Sequence, residues 1–490
     1  MDDLKGRLSL LEQESKRLEL NESERKATFS GFENIASNFL NDLEHTNAYS
    51  NAKADSSLFE IKEAAEKITD LSEVIASEVL KKGINAASGG HLGYIPGGGL
   101  YTSAIGDYLA AVSNAYSGMY FGSPGAVEME HACLNWLKEL FEFPKNTIGN
   151  LTSGGSIANL IGLTAARDFH NVLSRPVNES VVYMSKHTHH CVHKALRIIG
   201  LANVTVREIE LDEGNRIKPK HLIELIENDL ANNLHPFLVI ASAGTTDTGA
   251  IDPLDGIAEI AKENKLWYHI DAAYGGFFKL VESKKAMFKG IKKADSLVID
   301  PHKGLFLPYG IGAVLVKNRE AVLESHHYLA NYMQDATDNE FPINPADVSP
   351  ELTKHFRALR MWLPMKIHGT RPFIAALEEK LLLTEYFRRE IVKLGFSVGP
   401  EPDLSVTYFW YPQKEQQNEF NQKLVQAFHK NGAVFISSTK LNEHFVIRMA
   451  ILSFRTHRST IDKAIEMIGK CLNEMKKENA YPQLYPLNRK

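Results

Sequence analysis

Six short apolar runs rich in β-branched residues punctuate the middle of the chain, at 181–184, 204–211, 237–243, 266–271, 296–300 and 311–316. Stretches with helical spacing lie between them, such as HLIELIEND and IDPLDGIAEIAKENK. Strands that are apolar on both faces and separated by helices predict a mainly parallel sheet covered by helices. The first four runs begin about 23 to 33 residues apart, the length of a βαβ unit.

The flanking regions read differently. Residues 4–43 predict two amphipathic helices, with Leu8, Leu10, Leu11 and Leu18 near helical spacing and a break near Asn21, where NESE reads as an N-cap followed by acids. A polar linker is expected over 47–57 and a helix over 58–80. Residues 88–99 (SGGHLGYIPGGG) are too rich in glycine, with Pro96, for a regular element. Residues 324–351 lose periodicity and predict a lid or loop. A helix containing FRALRMWLPMKIHG follows. Beyond 384 the order helix, VTYFWY, helix, AVFISS, FVIRMAIL, helix predicts a small α+β domain. The organisation expected is a helical segment with the glycine loop over 1–100, a large α/β domain over 101–375 and a small α+β domain over 376–490.

With 490 residues, 44% hydrophobic and 23% charged, the chain has the composition of a globular protein and excludes wholesale disorder. A net charge of −5 gives no electrostatic case for nucleic acid or an anionic membrane. No apolar run is long enough to span a bilayer. Cys133, Cys191 and Cys471 are odd in number and far apart, which fits a reducing compartment. The first twenty residues lack the apolar core of a secretory signal, so a cytoplasmic location is expected.

Four features sit where predicted strands give way to turns, the edge at which open α/β sheets bind ligands. Residues 152–156 (TSGGS) precede a helix whose start presents unpaired N–H groups to an anion, with Ser156 adding a hydroxyl; a plain helix cap is the alternative. Asp271 ends an apolar strand among small residues, where a buried carboxylate needs a positive partner such as a protonated pyridine nitrogen; it would otherwise cap the next element. Lys303 follows another strand between His302 and Gly304. Partial burial there is expected to lower its pKa and make it a Schiff-base nucleophile, with a structural lysine as the alternative. The run 186–193 (KHTHHCVH) offers a planar imidazole or, through His189 and His193, a zinc pair. A phosphate cradle, a carboxylate for a ring nitrogen, a reactive lysine and a flat imidazole are together the parts that pyridoxal 5′-phosphate needs.

TSGGSIAN, KHTHHCVHKA, AGTTDTGAIDP, HIDAAYGG, DPHKG, YLANYMQD and VIRMAILSFRTH occur in this order. Through them the sequence resembles the pyridoxal-phosphate-dependent group II amino-acid decarboxylases, especially the aromatic L-amino-acid decarboxylase branch. The resemblance implies the fold type I of pyridoxal-phosphate-dependent transferases. It implies Lys303 as the lysine that holds the cofactor covalently, Asp271 as the partner of the ring nitrogen and His189 as the ring-stacking histidine. It places Gly154, Gly155, Ser156, Thr246, Ala273, Asp300 and His302 around the cofactor, although relatives often carry Asn where Asp300 stands. Tyr328 matches a loop tyrosine that returns a proton after carbon dioxide leaves; relatives that make aldehydes tend to have Phe there. Tyr94, Ile95, Gly97 and Tyr120 are expected to form a mostly apolar substrate pocket, with Gly369 leaving room for a ring, although the loop from His91 is shorter than in aromatic-specific relatives. The resemblance also implies a homodimer with sites at the subunit interface. Within this frame the substrate expected is an aromatic L-amino acid. An acidic substrate, another lyase or an aminotransferase are the enzymatic alternatives, and a non-catalytic scaffold or a zinc-binding protein the others.

Overall fold

The computed structural model of the chain describes residues 2–327 and 342–480. Helices Asp2–Ser15 and Glu22–Asn41 open the chain. A capping box starts the second: Glu24 N–H donates to Asn21 Oδ1 at 3.0 Å and Asn21 N–H donates to Glu24 Oε2 at 2.8 Å. This is the break expected near Asn21. The helix expected over 58–80 is much shorter, reduced to Ile68–Val74 and a wide turn over Ile75–Val79. Leu58, Phe59 and Ile61 ahead of it are exposed, and a short helix without a packed face is not sustained by propensity alone. Strands β1 (Tyr49–Ser50) and β2 (Gly83–Ile84) pair as a small ribbon.

The central sheet contains β3 (Ile148–Thr152), β4 (Ser180–Ser185), β5 (Thr205–Ile209), β6 (His235–Ser242), β7 (Trp267–Asp271), β8 (Ser296–Ile299) and β9 (Gly312–Val316), in the spatial order β3-β9-β8-β7-β6-β4-β5. Strands β8, β7, β6, β4 and β5 are parallel, and β9 runs antiparallel to both of its neighbours. Side chains of β4 alternate between two cores: Val181 and Tyr183 enter one, Val182 and Met184 the other. Burial on both faces is why these strands read as continuous apolar runs. All six predicted runs form strands. The edge strand β3 was not among them, because Gly149 and Asn150 interrupt its apolar pattern. A Cβ on Gly149 would meet Leu134 Cδ2 at 2.9 Å, and Asn150 Nδ2 donates to Pro345 O at 2.8 Å.

The antiparallel sheet β10 (Ser397–Val398), β11 (Val406–Trp410), β12 (Ser437–Leu441) and β13 (His444–Ala450) packs with helices Gln417–Asn431 and Arg458–Ala480 around a third core. The strand expected over AVFISS starts only at Ser437. The residues ahead of it pair instead with the glycine loop: Leu92 N–H donates to Phe435 O at 2.8 Å and Phe435 N–H to Gly90 O at 2.9 Å. Helix Arg371–Lys393 runs unbroken across the boundary expected at 375. Its Phe373 and Leu377 join the core of the large sheet, and its Leu383, Phe387 and Ile391 that of the small one.

Candidate active site

The ends of β6, β7 and β8 open onto a cavity of about 330 Å³, closed by the turn after β3 and the start of helix His190–Ile198. Gly154, Gly155, Ser156, His189, Thr246, Asp271, Ala273, Asp300, His302 and Lys303 all line it. Residues expected from five separate stretches of sequence thus meet in one place.

Helix Gly155–Phe169 begins at the cavity wall. Gly154 has φ 150°, and a Cβ on Gly155 would stand 2.8 Å from Asp300 Oδ2. Glycine at these positions lets the backbone N–H groups of the first turn face the cavity, a cradle for an anion. Asp271 closes β7 at 8% exposure. Ala273 N–H donates to its Oδ1 at 3.0 Å and Asn159 Nδ2 to its Oδ2 at 3.3 Å. Both bonds hold the carboxyl group in one orientation at the cavity wall.

Lys303 lies in the short helix Pro301–Gly304, with Nζ 2.9 Å from Asp300 Oδ2. Burial opposes its charge, but the Asp300 and Asp271 carboxylates together outweigh burial and hold its pKa above the ordinary lysine value. This corrects the lowered pKa expected from burial alone. Asp300 Oδ1 is buried beside Gly155 and Gly312 without a hydrogen-bond partner. His302 donates Nδ1–H to Ile311 O at 2.5 Å, and its Nε2 lies 3.7 Å from Asp300 Oδ2. His189 caps its helix by accepting Cys191 N–H on Nδ1 at 3.3 Å, so its neutral ring carries the proton on Nε2. Burial, ahead of the opposing pull of Asp271, keeps its pKa below the usual histidine range.

The glycine cradle at the helix start, the buried Asp271 carboxylate and the lysine beside them fit a phosphorylated pyridinium aldehyde. The zinc alternative finds no support in geometry: His193 points to solvent, and among the described residues no cluster of three or more His, Cys, Asp or Glu side chains is placed to hold a metal ion.

Five expected substrate residues lie elsewhere in the single chain. Tyr94 is 59% exposed with φ 50°, its carbonyl held by Arg448 Nη1 at 2.8 Å. Ile95 is buried in the large core. Gly97 packs against the backbone of His302, Tyr120 N–H donates to Asn344 Oδ1 at 2.8 Å, and Gly369 ends helix Ala358–His368. None of the five lines the cavity. Tyr328 lies outside the described residues. In turn Asn159, His187, Cys191, Ser242 and Tyr309 line the cavity without having been anticipated. Asn159 was legible in principle: it stands four residues after Gly155, on the same face of an otherwise apolar helix.

The model of the pyridoxal-dependent decarboxylase conserved domain matches residues 50–412. The chain belongs to this family. Its cofactor is pyridoxal 5′-phosphate and its chemistry that of an amino-acid carboxy-lyase. An aromatic-L-amino-acid decarboxylase of Bacillus atrophaeus is 36% identical over 386 residues, covering 77% of this chain and 79% of that protein. Tyrosine decarboxylase 2 of Narcissus pseudonarcissus is 27% identical over 415 residues, 81% of this chain and 83% of that one. In fold, the chain is similar to Oryza sativa TDC solved with PLP and tryptamine, with a TM-score of 0.88 at 22% identity over 93% of this chain and 99% of that one. Mouse CSAD gives a TM-score of 0.83 at 23% identity over 92% and 99%.

Proposed function

We propose that this member of the family decarboxylates an aromatic L-amino acid to its amine, using Lys303, Asp271 and His189 as the groups that act on the cofactor. The observation that carries the reading is the convergence of these three side chains with the helix start at Gly155 on one cavity. The aromatic preference is supported by the 36% identity to the Bacillus atrophaeus enzyme. It is supported also by the absence of arginine among the described residues that line the cavity: the buried Arg448 turns its guanidinium to the carbonyls of Tyr94, Thr246 and Asp247 instead.

In this reading Gly154, Gly155 and Ser156 hold the phosphate with backbone and hydroxyl donors. Asp271 keeps a proton on the ring nitrogen. Neutral His189 packs against the ring, and Thr246, Ala273 and His302 complete its surroundings. Lys303 Nζ tethers the group, with Asp300 holding the lysine proton. When bound, pyridoxal 5′-phosphate supplies an electron sink for the pair released as carbon dioxide departs. Tyr328, carried by resemblance, delivers the proton to the substrate Cα. Tyr94, Ile95, Gly97, Tyr120 and Gly369 are assigned to the substrate side of a site completed by a second subunit.

The homodimer has support in the N-terminal helices, where Leu4, Leu8, Leu10 and Leu11 are all more than half exposed and bury no stripe within the chain. A cytoplasmic location is consistent with three free, buried cysteines. No helix among the described residues is long and apolar enough to cross a membrane.

Carbon dioxide release from each proteinogenic amino acid, with cofactor added, tests the function. Release from tryptophan, tyrosine or phenylalanine well above that from glutamate and aspartate is expected; the reverse order overturns the aromatic reading. Tyr328→Phe should raise the ratio of aldehyde to amine, and an unchanged ratio removes the proton-return role.

A further inference from the structure

Behind Asp271, four side chains from three elements form a continuous hydrogen-bonded chain. Trp267 and His269 stand on β7, Ser296 opens β8, and Asn159 lies in helix Gly155–Phe169. Trp267 Nε1 is 2.8 Å from Ser296 Oγ, and Ser296 Oγ is 2.7 Å from His269 Nδ1. His269 Nε2 is 2.9 Å from Asn159 Oδ1, and Asn159 Nδ2 is 3.3 Å from Asp271 Oδ2. All four residues are buried, and Ser296, His269 and Asn159 are fully so. Only Asn159 touches the cavity. The other three have no contact with anything bound there.

The direction of the bonds is set from the Asn159 end. Trp267 Nε1 can only donate, so Ser296 Oγ accepts from it and keeps its own proton available for His269 Nδ1. At the other end, Asn159 Nδ2 also lies 2.9 Å from Gly155 O, which can only accept. The amide group therefore faces Gly155 and Asp271, and Oδ1 faces His269. In a neutral ring His269 Nε2 must then carry the proton and Nδ1 must be bare, so that Ser296 donates to it. Burial keeps the imidazole neutral, its pKa pushed down to about 4. Residue 162 leaves the space for this arrangement: a Cβ on Gly162 would stand 3.1 Å from His269 Cε1 and 3.3 Å from Ser296 Oγ.

The geometry assigns Trp267, Ser296, His269 and Asn159 a positioning role: they form a one-way donor relay that aims Asp271 Oδ2 at the place of the ring nitrogen of the cofactor. The assignment rests on the cofactor contact proposed for Asp271. Reversing the relay would turn Asn159 and present its Oδ1 to the carboxylate, acceptor against acceptor. With the relay intact, Asp271 receives a donor on each oxygen, since Ala273 N–H serves the other. Held on both oxygens, the carboxylate cannot rotate away from the ring nitrogen, and its charge stays where it favours the protonated ring.

The test uses full-length protein reconstituted with pyridoxal 5′-phosphate labelled with 15N at the ring nitrogen. Solid-state NMR reads the protonation of that nitrogen as pH is raised, in wild type, Asn159→Leu, Ser296→Ala and Asp271→Asn. Borohydride labelling at Lys303 is measured alongside. The expectation is that all four proteins label. The ring nitrogen should lose its proton at lower pH in Asn159→Leu and Ser296→Ala than in wild type, in the direction set by Asp271→Asn. Cofactor affinity of Asn159→Leu should fall about tenfold, the scale of one lost hydrogen bond to a charged group. Superimposable wild-type and variant titrations overturn the relay while leaving the cofactor reading intact. Failure of wild type to label overturns the cofactor reading instead. If Asn159→Leu does not fold, Ser296→Ala decides by the same criterion, since its side chain is remote from the cavity and a role in contacting ligand would leave the nitrogen unmoved.

Discussion

Lys303 Nζ lies 2.9 Å from Asp300 Oδ2, three residues earlier in the same turn. Burial pulls the lysine toward its neutral form, and Asp300 is the first of the charges that pull it back and prevail. The amine attacks an aldehyde only when unprotonated. A raised pKa therefore means that cofactor attachment accelerates as pH climbs toward that pKa. Asp300→Asn removes the strongest opposing charge, so the amine titrates at lower pH and the rate profile moves to lower pH with it. Borohydride trapping of cofactor on the apoprotein as a function of pH measures the profile. Coincident profiles, or movement to higher pH, would show that Asp300 does not set the charge on Lys303.

The second expectation concerns the glycine loop. Gly97 has no room for a side chain: a Cβ there would sit 2.1 Å from His302 O and 3.4 Å from Lys303 O. These are backbone atoms of the turn that presents the lysine, and they cannot swing aside. Gly97→Ala should lower cofactor affinity about tenfold or more, in line with the cost of overpacking. Gly125→Ala, where a Cβ meets nothing within 4 Å, is the control expected to bind as wild type. Equal affinities for the two variants in a spectroscopic titration would argue against the loop holding the turn.

Much of this was legible from one sequence. The parallel strands could be read because burial on both faces leaves uninterrupted apolar runs, as at 237–243. Asp271, Asp300 and Lys303 could be read because they sit at or just past the end of such a run, and Gly154, Gly155 and Ser156 because glycines precede a helical pattern. The substrate-side residues could not be placed. Tyr94 and Tyr120 are assigned to a pocket that one chain does not enclose, and no local pattern states what a second chain would add. Asn159 was passed over because one amide among the apolar residues 157–163 does not by itself declare a partner; its partners are 110 and 112 residues away in sequence. The charge state of Lys303 was misjudged for the same reason, since burial was visible in the sequence pattern and the distance to Asp300 was not.

Arg448 carries a third expectation. It is 3% exposed, and its guanidinium reaches Thr246 O at 3.0 Å, Asp247 O at 3.2 Å and Tyr94 O at 2.8 Å, tying the small sheet to two loops of the large domain. Its contacts are carbonyls, and burial pushes its pKa down to about 10. An ammonium group cannot span three carbonyls in different directions as the planar fork does. Arg448→Lys should therefore loosen the Tyr94 loop and raise KM more than it lowers kcat. Steady-state kinetics on the preferred substrate separates the two, and a pure kcat effect would place the role of Arg448 elsewhere.

The last expectation is about stability. Lys354 and Glu130 form an ion pair of 2.6 Å at 0% and 2% side-chain exposure. Lys354 Nζ also donates to Asn150 Oδ1 at 3.0 Å, and Glu130 Oε1 accepts Leu151 N–H at 3.0 Å, so the pair fastens β3 to the chain that returns to the sheet beyond residue 342. Lys354→Met leaves an uncompensated buried carboxylate, and the loss should be about 3–5 kcal/mol. Replacing both residues, with Glu130→Leu added, removes the stranded charge and should recover a large part of that loss. Recovery cannot be complete, because Leu151 N–H and Asn150 Oδ1 then lack their partners. Urea denaturation of the holoprotein for wild type, both single variants and the double variant closes the cycle. If the double variant is as unstable as the sum of the singles, the two side chains do not act as a pair, and the anchoring of β3 rests on Asn150 and Pro345 instead.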